Sequence, residues 1–408
     1  MNDRDFEVVV YGATGFTGQL VAEYLLGQYG EGEGLRWAIA GRSEEKLRRM
    51  RRELGPAAEQ LPIIVADSSD EDALSQLASR THVVLTTVGP YALYGSNLVA
   101  ACVKHGTDYC DLAGETQWVR KMIDTHHEQA QKTGARIVHC CGFDSIPMDI
   151  GVYFLQEEAK ARHGAYCESI ALYVKATKGS MSGGTMASMS NIIQEAKRDR
   201  SIARILADPY ALNPPGERQG PDVGDQQDVR FDKDVNSWTA PFVMAAINTR
   251  VVRRSNALAG YPYGRGFRYR EATLTGPGTG GRLKGALLAA TLGALVLGIS
   301  ARPTRALLQK FVLPDPGEGP SREQQKSGFF SLMQIGKLPD GKIMRTRIAG
   351  DRDPGYGSTS KMLSESAVCL AKDDLGTVGG IWTPASAMGA PLLERLRRNA
   401  GLTFEVIA

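Results

Sequence analysis

The chain is poor in cysteine and carries almost no net charge. Six cysteines stand among 408 residues, and no Cys-x-x-Cys pair occurs. Because so few thiols make no disulfide framework, a reduced, cytoplasmic location is expected. The 48 basic and 45 acidic residues leave a formal net charge of +3. A dedicated nucleic-acid binder presents a strongly cationic field, so no nucleic-acid partner is expected.

Signals of several other protein classes are also missing. No Gly-x-Ser-x-Gly elbow is present, which argues against an acyl hydrolase. His126 and His127 are adjacent and not spaced as ligands, so no metal site is predicted. The polar N-terminus lacks the apolar segment of a signal peptide. With 42% hydrophobic and 23% charged residues, the composition is that of a globular protein with more than one domain.

Six short, β-branched runs alternate with stretches of helical spacing in the first third of the chain. These runs are residues 6–11, 37–40, 62–66, 82–88, 107–112 and 136–141. The alternation predicts βαβ units around a parallel sheet, which gives an α/β fold class with a doubly wound Rossmann sheet. We place this dinucleotide-binding domain at residues 1–150.

The pattern changes after about residue 150. The β-branched runs are now residues 169–175, 267–274, 329–335 and 343–348, and a Pro-Asp-Gly turn joins the last two. They predict a mostly antiparallel sheet in an α+β domain at residues 151–374. Residues 208–235 are rich in Pro, Gly and Asp and predict a long loop, either a lid over the site or a mobile surface excursion.

A glycine-rich turn follows the first predicted strand directly. Its spacing, Gly12-x-x-Gly15-x-x-Gly18, is a variant of the dinucleotide-binding fingerprint, and an amphipathic helix comes next. Glycines allow the tight turn and the close approach of a pyrophosphate, and the helix N-terminus supplies partial positive charge. The turn residues expected to contact the cofactor are Gly12, Thr14, Gly15, Phe16, Thr17 and Gly18.

The end of the second predicted strand indicates which nicotinamide cofactor is used. An NAD-binding unit carries Asp or Glu there, whereas this chain has Arg42. Arginine binds a 2′-phosphate through a charge-assisted fork, so NADPH is the expected cofactor, with Ser43 and Lys46 as further ligands. The alternative is a solvated surface arginine. Further cofactor contacts are expected from Asp67 and Ser68 at the adenine and from Gly89 and Pro90 near the nicotinamide.

The sequence resembles the saccharopine dehydrogenase-like oxidoreductases, and within them the trans-acting enoyl reductases of mycobacterial lipid synthesis. The resembling segments are VYGATGFTG (10–18), AGRS (40–43), TTVGPY (86–91), DLAGE (111–115), CGFDSIP (141–147), SGGT (182–185), NTRVVRRS (248–255) and TPASAMG (383–389). The resemblance implies a Rossmann domain, an inserted substrate domain and a C-terminal segment, residues 375–408, that returns to the first domain.

The same resemblance implies a reaction and a partner. The reaction is hydride transfer from NADPH to an α,β-unsaturated acyl chain, a lipid-like substrate carried by an acyl carrier domain of a polyketide synthase that lacks its own reductase. The implied products are precursors of phthiocerol-type waxes. A homodimer is a further expectation.

Three residues are candidates for the chemistry of an enoyl reduction. Tyr91 and Tyr94 follow the fourth predicted strand and suit hydrogen bonding of the substrate carbonyl or proton donation. The alternative is that these rings only pack beneath the nicotinamide. Asp144 follows the sixth strand and suits orientation of water or substrate, or else closes a turn or caps a helix.

Two neighbouring segments indicate a lipid or carrier-protein surface. Residues 285–300 are apolar and without charge, and a helix of this length is too short to span a bilayer. It is expected as a core helix, as a wall of an acyl-chain tunnel or as a peripheral membrane contact. The segment from residue 250 to residue 284 contains eight basic residues and a single acidic residue, Glu271. This excess suits an acidic carrier or anionic headgroups, unless it is only a solvated face.

Two other functions remain open from the residues alone. A saccharopine-type amino-acid dehydrogenase would need several Arg or Lys side chains directed at substrate carboxylates in a cleft. A non-catalytic dinucleotide-binding protein at a lipid surface would keep the fold without turnover and use residues 285–300 as its anchor.

Overall fold

The computed structural model describes residues 4–30, 32, 34–179, 183–300, 304 and 319–407. Ser182, the first residue of the SGGT segment, and the two ends of the chain lie outside the described residues. The described part divides into two compact units. The first unit contains the described residues of Met1–Ile146 and Gly355–Ala400, and the second contains those between them together with the last strand.

The first unit is built on a seven-stranded parallel sheet. Its strands are β1 (Phe6–Tyr11), β2 (Trp37–Gly41), β3 (Ile63–Val65), β4 (Thr81–Thr86), β5 (Asp108–Cys110), β6 (Arg136–Val138) and β13 (Gly380–Trp382). Their order, β13-β6-β5-β4-β1-β2-β3, is that of a doubly wound sheet. The six strands predicted from the sequence are confirmed, with ends that differ by at most three residues, and β13 adds a seventh beside β6.

Helices connect the strands of the first unit, and several begin at side-chain caps. They are α1 (Phe16–Tyr29), α2 (Glu44–Glu53), α3 (Glu71–Ser79), α4 (Tyr91–Tyr94), α5 (Ser96–His105), α6 (Thr116–Thr133), α13 (Thr359–Lys372) and α14 (Pro384–Arg398). Ser43 accepts from the Lys46 amide at the start of α2, and Asp70 accepts from the Ala73 amide at the start of α3. Such caps satisfy backbone donors that a helix leaves unpaired.

A buried carboxylate joins three helices of the first unit. Glu365 on α13 is fully buried and accepts from the hydroxyls of Tyr24 and Tyr29 on α1, at 2.7 and 2.6 Å. Arg395 on α14 donates to the same carboxylate at 3.3 Å. Because the charge is paired and hydrogen-bonded, its burial is tolerated.

The second unit contains a mixed seven-stranded sheet that is antiparallel except between β7 and β10. Its strands are β7 (Ser169–Lys178), β8 (Arg230–Asp232), β9 (Ser237–Ala240), β10 (Arg268–Gly276), β11 (Phe329–Lys337), β12 (Ile343–Gly350) and β14 (Leu402–Ile407). The order is β14-β12-β11-β7-β10-β9-β8. The predicted second, mostly antiparallel sheet is thereby confirmed.

The described residues of the second unit form six α-helices. They are α7 (Ile146–His163), α8 (Gly183–Arg198), α9 (Arg200–Ala207), α10 (Ala245–Leu258), α11 (Gly278–Ser300) and α12 (Arg322–Ser327). Helix α10 is buried along nearly its whole length, including its three arginines.

The boundaries between the units differ from those expected at residues 150 and 374. Helix α13 belongs to the first unit, although residues up to 374 were expected in the substrate domain. Of residues 375–408, expected to return to the first domain, those up to Ala400 lie in the first unit, whereas strand β14 pairs antiparallel with β12 of the second sheet. A strand at the end of the chain pairs with a free edge of a sheet. The sequence does not indicate which of the two sheets offers that edge.

The long loop expected at residues 208–235 is held to α10 by buried ion pairs. Arg253 donates to Asp222 at 2.6 Å, and Arg250 forms an ion pair with Asp225. Arg254 donates to the carbonyl of Leu212 in the same loop. Buried pairs of this kind fix a segment, so the expectation of a mobile excursion is wrong, and part of the segment forms β8.

The same contacts correct the expected basic surface. Arg250, Arg253 and Arg254 are 2–4% exposed and have acidic or carbonyl partners, so they do not belong to a solvated patch. Among the described residues, the exposed cations of this stretch are Arg265, Arg268, Arg270, Arg282 and Lys284. Three of the eight basic residues counted from the sequence are therefore internal, and the other five are exposed.

Helix α11 differs from its expectation in both length and burial. It begins at Gly278 and not near residue 285, so its 23 residues extend about 34 Å, enough to cross a bilayer by length and composition. Of these described residues, only Gly281, Gly285 and Ile299 are buried. The interpretation as a core helix is therefore wrong.

Candidate active site

The glycine turn lies between β1 and α1, at the carboxyl end of the parallel sheet. The amides of Gly12 and Ala13 donate to the carbonyl of Ala40 at the end of β2, at 2.9 and 3.2 Å. Gly12 has a φ of +84°, which favours glycine, and a Cβ there would meet the Val88 side chain at 2.5 Å. The turn therefore brings the ends of β1 and β2 together.

Gly18 allows α1 to pack against this turn. A Cβ on Gly18 would lie 2.2 Å from the carbonyl oxygen of Gly12, closer than any side chain can approach. Gly15 is the N-cap of α1 and is exposed. The amides of the first helical turn, beginning at Phe16 and Thr17, have no carbonyl partner within the helix and can donate to a phosphate.

The side chains of Thr14 and Phe16 occupy the two sides of the turn. Thr14 is half-buried and lies beside Gly41 of β2, its hydroxyl oxygen 4.0 Å from the position of a Gly41 Cβ. The ring of Phe16 packs edge-on against Tyr356, with centroids 4.7 Å apart. The Phe16 side chain is thus engaged with protein, so its contribution to a cofactor would come from the backbone amide.

Arg42 stands directly after β2 with its guanidinium exposed. Among the described residues it forms no ion pair, although Asp67 is near enough for Arg42 to lower the pKa of that carboxyl. Ser43 accepts from the Lys46 amide at 3.4 Å and keeps its hydroxyl proton for another acceptor. An unpaired guanidinium, a hydroxyl and the exposed Lys46 ammonium fit a 2′-phosphate.

Asp67 and Ser68 follow β3 at the same edge of the sheet. The Asp67 carboxylate accepts from the amide and hydroxyl of Ser69, at 2.9 and 2.7 Å, which lowers its pKa. The Ser68 carbonyl accepts from Asn97 at 3.3 Å. Both residues remain half-buried, and their role at the adenine stays a prediction.

Gly89 and Pro90 connect β4 to α4, and Pro90 is the N-cap of this short helix. The carboxylate of Glu115 accepts from the amides of Tyr91 and Ala92 at 2.6 and 3.0 Å, and so fixes the start of α4. Glu115 is fully buried. It therefore anchors α4, and the proximity of Gly89 and Pro90 to a nicotinamide stays a prediction.

Tyr91 packs in the interior, which corrects its candidacy as a proton donor. Its hydroxyl donates to the carbonyl of Thr86 at 3.2 Å and accepts from the amide of Leu112 at 3.1 Å. The ring stacks on Trp118, and burial raises the pKa of Tyr91 well above its ordinary value. Because the ring is buried and the hydroxyl proton already has an acceptor, Tyr91 is a packing residue, and its place beneath a nicotinamide stays a prediction.

Tyr94 and Asp144 remain available for chemistry. Tyr94, at the end of α4, is 46% exposed. Asp144 follows β6, in a segment where Cys140 and Ser145 adopt positive φ values of 66° and 121°. Burial raises the pKa of the Asp144 carboxyl to about 7, and no charge or hydrogen bond offsets that burial. Such a carboxyl can hold a proton at neutral pH and release it.

A buried dyad near β6 was missed by sequence reasoning. The carboxylate of Asp111 contacts the Nδ1 of His139 at 2.7 Å and accepts from the Tyr109 hydroxyl at 2.9 Å. The Nε2 of His139 is buried without a hydrogen-bond partner among the described residues. Nothing in the sequence around Asp111 and His139 indicates that these two residues interact. They come together because β5 and β6 are neighbouring strands of the sheet.

Two remaining groups of side chains have structural surroundings. Cys140 and Cys141 are buried, and burial raises the pKa of Cys141 well above its ordinary value, which agrees with inert thiols. The Nδ1 of His127 accepts from the amide of Ile381 in β13 at 3.0 Å. In the described ranges no group of three or more His, Cys, Asp or Glu residues is arranged to hold a metal.

The fold and part of the sequence match known proteins. Residues 8–138 match the family model of the saccharopine dehydrogenase NADP binding domain. Saccharopine dehydrogenase (L-Glu forming) from Saccharomyces cerevisiae has a similar structure, with a TM-score of 0.55 over 99% of this chain and 100% of that chain. Its sequence identity is 13%, so this likeness concerns the fold alone.

Two curated relatives extend the match over nearly the whole chain. A trans-acting enoyl reductase of Mycobacterium tuberculosis is 42% identical over 407 residues, which cover 97% of this chain and 96% of the relative. A trans-acting enoyl reductase of Mycobacterium leprae is 41% identical over 408 residues, covering 96% of each. The chain therefore belongs to the trans-acting enoyl reductase family of saccharopine dehydrogenase-like oxidoreductases, and its first unit contains an NADP-binding domain.

Proposed function

We propose that the protein is an NADPH-dependent enoyl reductase that acts on an α,β-unsaturated acyl chain in polyketide-derived lipid synthesis. The observation that carries this proposal is the unpaired guanidinium of Arg42 beside the glycine turn, in a chain whose relatives bear the name enoyl reductase. A carboxylate at the end of β2 would repel a 2′-phosphate, whereas Arg42 attracts one.

The residues of the first unit have separate roles in this reaction. The amides of Phe16 and Thr17 bind the pyrophosphate, and Arg42, Ser43 and Lys46 bind the 2′-phosphate. When bound, NADPH supplies the hydride for the β-carbon. The protein must then stabilise negative charge on the carbonyl oxygen and deliver a proton to the α-carbon.

Tyr94 and Asp144 are the groups we assign to these two tasks. The exposed hydroxyl of Tyr94 donates a hydrogen bond to the substrate carbonyl oxygen, which stabilises charge as it develops. Asp144 holds the proton for the α-carbon, because its carboxyl has a pKa of about 7 and is protonated in a large fraction of molecules at neutral pH.

The arginines of α10 do not favour the alternative of a saccharopine-type amino-acid dehydrogenase. That reaction needs cationic side chains free to bind substrate carboxylates. The arginines of α10 have Asp222, Asp225 and backbone carbonyls as partners and are buried. Their charge is already compensated within the second unit, so they are poor candidates for binding such a substrate.

The partners follow from the proposed substrate. We propose that the acyl chain arrives tethered to the carrier domain of a polyketide synthase and that residues 285–300 make a peripheral membrane contact. A cytoplasmic location agrees with six cysteines that are all free and buried. Formation of a homodimer stays a prediction, which the molar mass in solution would test.

Reduction of a crotonyl-type thioester tests the proposal directly. Loss of NADPH absorbance is followed with this substrate, with the saturated butyryl thioester as the matched control and with saccharopine as the alternative substrate. We expect oxidation of NADPH with the enoyl thioester only, and much slower reaction with NADH. Binding of NADPH without turnover on acyl or amino-acid substrates would instead favour a non-catalytic dinucleotide-binding protein.

A further inference from the structure

The outward face of α11 is a continuous apolar surface. Leu283, Leu287 and Leu297 are 73%, 68% and 72% exposed, and Val296 is 44% exposed. The small residues between them are Ala286, Ala290, Gly293 and Ala294, all of them exposed. Single exposed leucines are common, but a contiguous face of this length marks an interaction site.

Both ends of α11 are attached to the same unit. At the N-terminal end, Gly281 approaches the carbonyl of Gly276 so closely that a Cβ would lie 1.9 Å from its oxygen, and Gly285 packs against Val229. At the C-terminal end, the carbonyl of Ser300 accepts from Lys197 of α8 at 2.5 Å. The helix therefore lies along the second unit and presents one face outward.

The apolar face of α11 has no charged side chain, and its hydroxyl group is hydrogen-bonded within the helix. No charged residue occurs from 285 to 300. The hydroxyl of Thr291, which lies on the exposed side, donates to the carbonyl of Leu287 at 2.8 Å. Because the backbone donors and acceptors of a helix are satisfied internally, such a surface enters hydrocarbon without leaving polar groups unpaired.

Positive charge flanks the apolar face at its N-terminal end. Arg282 and Lys284 are exposed and have no ion-pair partner in the described part of the chain. The Arg282 guanidinium lies 5.3 Å from the centroid of the half-buried Trp238 ring. Cations and an indole ring beside an apolar helix match the composition of the headgroup region of an anionic membrane.

We propose that α11 docks the protein on an anionic lipid surface as a monotopic helix, with its outward face in the acyl-chain boundary and Arg282 and Lys284 at the headgroups. Attachment at both ends excludes a free-standing span and leaves a helix parallel to the surface, at a depth of about 5–10 Å. This inference rests on the proposed function for its purpose, because a membrane is where a lipid-like acyl product is released.

Vesicle flotation tests the docking without any assay of turnover. The full chain is mixed with vesicles of phosphatidylcholine and phosphatidylglycerol, or of phosphatidylcholine alone. We expect binding to the anionic vesicles and a loss of at least about tenfold in the double variant Leu287→Glu and Leu297→Glu, since two charges would enter the hydrocarbon boundary. Val223→Glu, at a position 80% exposed elsewhere in the second unit, is the matched control and should bind like the wild type.

The cations give a second, graded readout. Arg282→Ala and Lys284→Ala should each weaken binding to anionic vesicles about fivefold at low salt, since each cation near such a surface contributes about 1 kcal/mol. All variants should keep the wild-type affinity for NADPH, which shows that they fold. Vesicle binding with no enoyl reduction would leave the docking intact and reject the proposed function.

Depth measurements distinguish lying on the membrane from crossing it. The native cysteines are buried, so a cysteine introduced by Ala294→Cys can be labelled selectively with a fluorophore. Lipids that carry a quencher near the headgroup should quench this fluorophore more strongly than lipids quenched at the bilayer centre. Stronger quenching at the centre would overturn the monotopic arrangement.

Three outcomes of flotation would overturn the docking itself. The wild-type chain fails to bind anionic vesicles, or the Leu287→Glu and Leu297→Glu variant binds them as well as the wild type. In the third, the wild-type chain is a dimer that does not bind vesicles, and the Leu287→Glu and Leu297→Glu variant is a monomer. This result would assign the apolar face to a second copy of the chain.

Discussion

The guanidinium of Arg42 lies where an NAD-specific unit carries a carboxylate. Arg42→Ala should weaken NADPH binding about ten- to hundredfold, because a charge-assisted hydrogen bond contributes about 1.5–3 kcal/mol. The affinity for NADH should change little, since NADH has no 2′-phosphate. Titration calorimetry with both cofactors measures the effect.

Arg48 offers a matched control on the neighbouring helix. It is exposed on α2 and paired with Glu44 at 2.6 Å, so Arg48→Ala removes the same charge from the same region. Both cofactors should bind this variant as they bind the wild type. An equal loss of NADPH and NADH affinity in Arg42→Ala would contradict the assignment of Arg42 to the 2′-phosphate.

Asp144 should govern the pH dependence of turnover. Its carboxyl has a pKa of about 7, so the fraction able to donate a proton falls as the pH rises through that value. The turnover number of the wild type should therefore decline above about pH 7. Asp144→Asn should lower turnover about 10²- to 10⁴-fold and abolish this inflection, with NADPH affinity unchanged.

The control for Asp144 is an acid on the surface of the same unit. Asp124 on α6 is exposed and paired with Arg120, and Asp124→Asn should keep both the rate and the pH profile. If Asp144→Asn retained the inflection near pH 7, another group would be the proton donor.

Sequence reasoning identified Tyr91 and Asp144 equally well as polar residues after strands, but it could not distinguish their environments. The hydroxyl of Tyr91 is satisfied by Thr86 and Leu112, whose positions depend on the pairing of β4 with β5. Asp144 lacks such partners in the described part of the chain. Hydrogen-bond satisfaction depends on tertiary contacts and has no local signature in the sequence.

At the scale of elements, α1 packs against the glycine turn because Gly18 has a hydrogen atom where other residues have a Cβ. Gly18→Ala would place a Cβ 2.2 Å from the Gly12 carbonyl oxygen, so the helix or the turn must shift. We expect a destabilisation of about 1–3 kcal/mol and a clear loss of NADPH affinity. Thermal unfolding with and without NADPH measures both.

The same helix contains its own control. Gly27 is exposed, and a Cβ there would meet no atom within 4 Å. Gly27→Ala should stabilise the protein by about 0.5–1 kcal/mol without changing NADPH affinity. A Gly18→Ala variant that bound NADPH normally would show that the turn tolerates displacement of α1.

The buried pairs between α10 and its loop give a second prediction at this scale. Arg253→Leu leaves Asp222, which is largely buried, without its cation, and should destabilise the protein by about 3–5 kcal/mol. Adding Asp222→Leu should recover much of this loss, because no buried charge then remains. Arg265→Leu, in an exposed pair with Glu217, should cost less than about 1 kcal/mol in the same urea titration.

These elements also show which parts of the structure can be predicted from patterns in the sequence. The α1 turn was predictable because the glycines, strand and helix are adjacent in the chain. The arginines of α10 were misassigned because the acids that pair with them lie about 25 to 31 residues away in a loop without periodicity. The surroundings of α11 stayed open among three alternatives, because an apolar run looks the same in a core and on a lipid surface.

At the scale of the whole molecule, the parallel sheet and the mostly antiparallel sheet were both predictable from periodicity. Their boundaries were not, because β13 and β14 lie close together in the chain and join different sheets. Short strands carry too few residues to indicate a partner, and pairing is decided by which edge is free. Only the three-dimensional structure separates these two strands.

The stability of the whole molecule should decline as the medium becomes alkaline. Burial raises the pKa of Glu271 to about 8 and that of Asp144 to about 7, both above their values in the unfolded chain. The folded state therefore holds more protons than the unfolded state between about pH 5 and 8, and stability falls across that range. The pKa values of Glu7, Asp232 and Asp373 are lowered, so stability also falls in acid.

The melting temperature should accordingly be highest near about pH 5 and fall toward pH 8, as both carboxyls ionise in the folded state. Glu271 accepts from Asn248 and Tyr269, at 3.0 and 2.8 Å, so Glu271→Gln retains an acceptor while removing the buried charge. This variant should flatten the alkaline decline, whereas Glu45→Gln on the exposed side of α2 should reproduce the wild-type profile. A Glu271→Gln profile as steep as the wild-type one would place the responsible proton on another group.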